Sequence, residues 1–166
     1  MILLKNDETF RQLYALHSGG VKRFLTGMVG KNEAVAEELT QDAFVKAWKG
    51  LASFSAKSSL KTWLYSVAVN TARDWLRAHG NRPMGELSPD ISPLPSVDSA
   101  EIRAVREALL ELEAETRELL MLHYYEDFSL AEIAKVLKIP EGTVKSRLHT
   151  AKSALRPLLI KKGFDV

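Results

Sequence analysis

The stretch SLAEIAKVLKIPEGTVKSRLHTAK, residues 129–152, decides the fold. Ser129 stands as an N-cap with Glu132 three residues on, the two partners of a capping box. The short helix they open, Leu130 to Leu137, stops at Lys138-Ile139-Pro140, and a final helix runs from about Pro140 to Lys161. Pro140 falls in a first turn, where the N–H it lacks has no partner anyway. A short helix, a turn and a longer basic helix predict a helix-turn-helix, whose second helix enters the DNA major groove and offers its N-terminal residues to base edges. Ile133, Ala134, Leu137, Val144 and Leu148 supply the core between the two helices. Thr143, Lys145, Ser146, Arg147, His149 and Lys152 are left to face outward. An ordinary helical hairpin with a basic face fits the same pattern.

Working toward the N-terminus, Ala100 to Glu113 and Thr116 to Tyr125 read as amphipathic helices with acidic outer faces. Before them lies AHGNRPMGELSPDISPLPSVDSAE, residues 78–101, with prolines at 83, 89, 93 and 95. Proline removes donors and biases the residue before it away from helix, so this stretch predicts an extended, mobile linker. A linker of roughly 20 residues could hold two domains about 65 Å apart.

The N-terminal half predicts about three or four helices. Phe10, Leu13, Tyr14 and His17 recur at helical spacing, as do Val21, Phe24, Leu25 and Met28 after a break at Gly19-Gly20. Asn32 caps a longer helix whose buried stripe is Val35, Leu39, Ala43, Phe44, Ala47 and Trp48. Gly50 to Ser58 reads as a loop. Ser59 caps a second long helix, with Leu60, Trp63, Leu64, Val67, Ala68 and Thr71 inward and Arg73, Arg77 and Arg82 at or beyond its end. No strand-period segment is found, so the fold class is all-α: two small helical domains joined by a flexible Pro-rich linker. The expected division is 1–79, linker 80–99, and 100–166.

The formal net charge of +2 conceals a division along the chain. Residues 57–82 carry five basic side chains against one acidic, and residues 129–162 eight against two, while 83–128 carry three against eleven. Two basic segments, one in each half, can neutralise phosphates, and the acidic stretch between them would be repelled by nucleic acid. Solvated helix faces account for the same charges. The absence of cysteine excludes a disulfide framework and a thiolate zinc site, which suits a reducing cytosol. Lys5, Asp7 and Glu8 follow the apolar start too closely for a signal peptide, and no apolar run nears the roughly 20 residues of a membrane span. The sequence therefore predicts a soluble, cytoplasmic chain.

At this point the sequence resembles a known family. FSLAEIAKVLKIPEGTVKSRLHTAKSALR is similar to the fourth conserved region of bacterial sigma factors, and EELTQDAFVKAWKGLASF followed by SSLKTWLYSVAVNTARDWLR to the second. Both blocks in this order, with no third region between them, resemble the extracytoplasmic-function (ECF) class of the sigma-70 family. The resemblance implies a subunit that directs RNA polymerase to promoters and opens the strands, with core RNA polymerase and promoter DNA as partners. It also implies an anti-sigma protein, often membrane-bound, that releases the factor on an envelope or stress signal.

Residue by residue, the resemblance places core-polymerase docking on Glu38, Gln41, Asp42 and Lys46. The loop Ala52 to Ser59 and the helix through Asn70 resemble the part that captures a base flipped from the melted non-template strand at the minus-10 element. Such a site needs amide and hydroxyl groups for a base edge and cations for the backbone. Ser55 and Asn70 supply the first, and Lys57, Lys61, Arg73 and Arg77 the second. Trp63 is assigned to the core, and Trp75 fits either core or base stacking. For the minus-35 element the reading positions fall on Lys145, Ser146 and His149 beside Thr143, with Arg147 and Lys152 on phosphates. Two departures from the family pattern stand out. Lys138 occupies a turn position that often carries glycine, so it must accept a left-handed backbone or reshape the turn. His149 and Thr150 replace larger aromatic or basic side chains.

An enzyme is the first rival reading, with His123 and Glu126, or Glu37, Glu38 and Asp42, as metal ligands or an acid–base pair. No spacing here matches a zinc-protease or deaminase pattern, and no phosphate-binding glycine loop or nucleophile elbow occurs. No catalytic residue, metal or cofactor is expected. The second rival is a regulator that uses only the helix-turn-helix, or a sigma-like decoy. Neither accounts for the 38–77 block together with both basic segments.

Overall fold

The computed structural model describes residues 2–30, 32–80 and 99–166, and the side chains of all of these except 2–5. Every regular element among them is helical. Helix α1 spans Ile2–Val29 without interruption, so the expected break at Gly19-Gly20 does not occur. Two helix-interior glycines cost on the order of 2 kcal/mol against alanine. Gly20 offsets part of this by close approach: a Cβ there would collide with the Tyr65 hydroxyl and stand 3.1 Å from a Glu126 carboxylate oxygen.

Asn32 caps α2 (Glu33–Gly50) as expected, its side chain accepting from the Val35 N–H at 3.2 Å. The helix buries Ala36, Leu39, Thr40, Ala43, Phe44 and Ala47. Trp48, expected inside, is 40% exposed and meets Phe10 edge-on at 5.2 Å. One 3-10 turn, Leu51–Ser53, opens the expected loop. Ser59 then caps α3 (Leu60–His79), accepting from the Thr62 N–H at 3.1 Å. The core stripe of α3 includes Tyr65, Val69, Ala72 and Leu76, whereas Leu60, Trp63 and Val67 are half-buried.

In the C-terminal half, α4 covers Ala100–Leu110 and α5 Ala114–Leu120, which continues through a wider π turn, Met121–Tyr125. Helix α6 (Leu130–Leu137) and helix α7 (Glu141–Lys161) complete the chain. The expected linker, apart from Gly80 and Ser99, lies outside the described residues, as does Arg82.

The two halves lie side by side, so the separation their linker length allows is not taken up. Helix α6 packs on α3, and α1 on α4 and α5. One contiguous apolar core runs through both halves. Tyr65 joins them, with its ring 6.0 Å from that of Phe24 and 4.9 Å from that of Phe128. Met121 fills the space over Gly27.

Candidate nucleic-acid interface

The helix-turn-helix is built as its caps foretell. Ser129 Oγ accepts from the Glu132 N–H at 3.1 Å, and the Ser129 N–H donates to the Glu132 carboxylate at 3.2 Å. Lys138 takes the left-handed conformation, φ 57° and ψ 46°, so the lysine accepts the backbone where glycine would sit more easily. The N–H of Ile139 then returns to the Ala134 carbonyl at 3.1 Å, which closes the end of α6. Pro140 serves as the N-cap of α7, one residue earlier than a first-turn position, and its carbonyl accepts from Thr143 and Val144.

Ile133, Val144 and Leu148 are buried between the two helices as expected, while Ala134 and Leu137 are half-buried. Val136 and Ala151, which the sequence reading passed over, are buried as well. Packing this stripe inward turns Lys145, Ser146, Arg147, His149 and Lys152 to solvent, with Thr143 half-buried. Lys145, His149 and Lys152 share one face of α7 at helical spacing. Lys152 reaches over the Tyr124 ring, 5.7 Å from its centre.

In the N-terminal half, Glu38, Gln41, Asp42 and Lys46 are all exposed, opposite the buried stripe of α2. Lys46 Nζ reaches Thr71 Oγ1 at 3.4 Å, and Val45, 51% exposed, sits among the four. Asn70, Arg73 and Arg77 form a stripe along the second half of α3, while Ser55 and Lys57 lie exposed in the loop before its first residue. About 15 Å of helix separates the start of α3 from Asn70. Arg77 is exposed beside Asp74 at 3.2 Å, and Trp75 stacks on His79 with ring centres 4.4 Å apart. Trp63, half-buried, tilts against Phe54 at 5.5 Å.

Two of the expected strand-binding cations are occupied by the C-terminal half. Arg73 grips Glu118 with both arms of its guanidinium, at 3.1 Å and 2.7 Å. Lys61 sits over the Phe128 ring, 4.7 Å from its centre. A second ion pair lies nearby: Arg23 binds Glu126 at 2.9 and 3.0 Å, and the Tyr65 hydroxyl donates to the same carboxylate at 2.7 Å. Arg117, fully buried, donates to the Leu112 carbonyl and across the joint to the Met28 carbonyl, while its Nε has no partner among the described residues.

Burial and these partners set the electrostatics of the joint. Hydrogen bonding to Glu118 holds the Arg73 guanidinium above its ordinary range, and Glu126 does the same for Arg23. Burial pushes the Glu118 carboxyl up despite Arg73, and pulls Arg117 down to about 10. The Tyr65 hydroxyl is raised by burial and by its bond to Glu126.

The sequence reading missed Tyr65, Arg117 and Glu118, and weighed Glu126 only as an enzyme candidate. A signal was present: Arg117-Glu118 enters an apolar run, LLML, with no turn to carry the charges to solvent. The imagined metal ligands do not converge. Glu37 receives Lys22 at 3.3 Å, and His123 Nδ1 lies 3.1 Å from the Phe128 carbonyl oxygen. Among the described residues no group of three His, Asp or Glu side chains could hold a metal ion.

Comparison with known proteins accords with this geometry. The sigma-70 region 2 family matches residues 13–82, and the sigma-70 region 4 family matches residues 102–155. The ECF RNA polymerase sigma-E factor of Haemophilus influenzae is 30% identical over 90% of this chain and 87% of its own length. The probable RNA polymerase sigma factor RfaY of Xanthomonas campestris is 32% identical over 82% of this chain, which spans only 37% of that protein. Among solved structures, the sigma factor RpoE of Bartonella quintana, in complex with the anti-sigma factor NepR, superposes with a TM-score of 0.74. That match is 27% identical and covers 92% of this chain and 97% of the other. The chain thus belongs to the sigma-70 family of RNA polymerase sigma factors, within its extracytoplasmic-function class.

Proposed function

We propose that this sigma factor divides its work between two parts, residues 1–79 for core polymerase and the minus-10 element and residues 100–166 for the minus-35 element, tethered through 80–99. Glu38, Gln41, Asp42 and Lys46 dock on core polymerase. Their exposure on one side of α2, beside the uncovered Val45, supports this. Ser55 and Lys57 from the loop, with Lys61, Asn70, Arg73 and Arg77 from α3, hold the melted non-template strand. In α7, Lys145, Ser146 and His149 read base edges beside Thr143, while Arg147 and Lys152 hold phosphates. Polymerase performs all covalent chemistry, and the factor carries none of its own. It acts in the cytoplasm; no helix among the described residues is long and apolar enough to cross a membrane. An anti-sigma protein holds it until a stress signal arrives, a partner supported by the RpoE–NepR likeness.

One observation carries this reading: a capped helix-turn-helix buries Val144 and Leu148 and thereby turns Lys145, Arg147, His149 and Lys152 outward together. Run-off transcription with core polymerase, followed by selection of promoters from a random library, tests it. Promoter-specific transcripts are expected. A stand-alone regulator or a decoy gives none, and that result would overturn the proposal.

A further inference from the structure

Lys152 is proposed to hold a phosphate, and its contact with the Tyr124 ring joins α7 to an element outside the helix-turn-helix. Tyr124 lies in the π turn Met121–Tyr125 that follows α5, and α5 packs on α7. Met121 and Leu122 of that turn are buried, whereas Tyr124 is 53% exposed. So large an exposed ring adds little to the core. A π turn holds an extra residue, which re-aims the side chains around it, and such turns are frequent at functional sites in helices.

The Tyr124 ring is braced from behind. His123 meets it edge-on, with ring centres 4.8 Å apart. His123 Nδ1 in turn lies 3.1 Å from the Phe128 carbonyl oxygen, which can only accept, so the imidazole is held through its N–H. Phe128 itself is 1% exposed. A chain of contacts thus runs from the core through His123 and Tyr124 and ends on the Lys152 ammonium. Among the described residues Lys152 has no carboxylate partner, so its charge is not neutralised within the chain. A ring face attracts an ammonium through its quadrupole, which leaves N–H donors on the far side free for a phosphate.

We infer that Tyr124, braced by His123, is a positioning residue for Lys152, holding the ammonium in place for the phosphate backbone before DNA arrives. The inference rests on the proposed function and adds to it a residue outside α7. Lysine is among the side chains that lose most rotamer freedom on ordering. A lysine already held over a ring has part of that loss behind it when it meets a phosphate. The contact so improved is blind to sequence, so affinity rises for every promoter and the preference among them stays the same.

Binding of core polymerase with each variant to a panel of promoters, at several salt concentrations, tests the inference. Tyr124→Leu is expected to weaken all promoters alike by about threefold, whereas Tyr124→Phe, which keeps the ring, should stay within about twofold of the wild type. In a Lys152→Ala background Tyr124→Leu should cost nothing further, because the group it positions is gone. A residue that served only the fold would weaken binding equally in both backgrounds, and that additive result overturns the inference. So does a loss in Tyr124→Phe as large as that in Tyr124→Leu. Should Lys152→Ala weaken binding while Tyr124→Leu does not, the inference fails alone and the proposed function stands. Should Lys152→Ala change neither affinity nor salt slope, the phosphate role in the proposed function fails and takes the inference with it.

Discussion

Gly20 and Tyr65 are fitted to each other: the helix α1 backbone passes so close to the tyrosine hydroxyl that a single methyl group at position 20 would strike it. The hydroxyl cannot retreat freely, because it donates to Glu126, which is itself bound by Arg23. Gly19, one residue earlier, faces open space. Gly20→Ala should therefore destabilise the chain by about 1–2 kcal/mol, overpacking outweighing the gain in helix propensity. Gly19→Ala should stabilise it by up to about 1 kcal/mol. Urea denaturation of the two variants checks the pair, and equal shifts in one direction would refute the assignment.

Lys138 holds a left-handed backbone at the end of α6, where a side chain with Cβ costs on the order of 1 kcal/mol relative to glycine. Lys138→Gly should raise stability by about that amount and leave promoter choice unchanged, because the side chain points to solvent beyond the turn. Lys138→Val should lower it. Thermal unfolding of both, with promoter selection on the glycine variant, is the measurement.

The helix-turn-helix was legible in advance because its signals are local. The Ser129/Glu132 capping box, the Pro140 start and the apolar spacing act within a few residues of one another. Asn32 and Ser59 were legible for the same reason. The joint between the halves was not. Whether Glu118 meets water or Arg73 is decided by a residue 45 positions away, and no periodicity encodes that partner. Gly19-Gly20 misled in the same way, since a glycine pair reads as a break until the neighbour that requires Gly20 is seen. Helical spacing puts Trp48 in the buried stripe of α2, but it lies at the edge of that stripe, where it meets Phe10 and stays 40% exposed.

His17 gives the chain a pH dependence of known sign. Burial, and then the nearby Lys61 ammonium, hold its imidazole below the ordinary 6.5. Below pH 6.5 the unfolded chain therefore takes up a proton that the folded chain refuses, so stability is full above 6.5 and falls as pH drops toward the folded value. His17→Gln should remove that part of the slope. Urea midpoints at pH 7.5 and 5.5 should move apart more in the wild type than in the variant, and equal movement would refute the argument.

Lys145 and Lys152 lie seven residues apart on one face of α7, and in the proposed docking, with the N-terminal end of the helix entering the groove first, they would stand at different depths. On that proposal Lys145, one turn from the cap, reads base edges. Lys152, two turns further and held over the Tyr124 ring, is the one proposed to hold the phosphate backbone. Lys145→Ala should thus change which upstream element is preferred, at about 1–3 kcal/mol for the favoured base. Lys152→Ala should weaken all promoters alike and lower the slope of log affinity against log salt by about 0.9. Binding of core polymerase with each variant to a panel of promoters at several salt concentrations separates the two roles. Identical preferences and identical salt slopes in the two variants would mean that neither lysine has the role assigned to it.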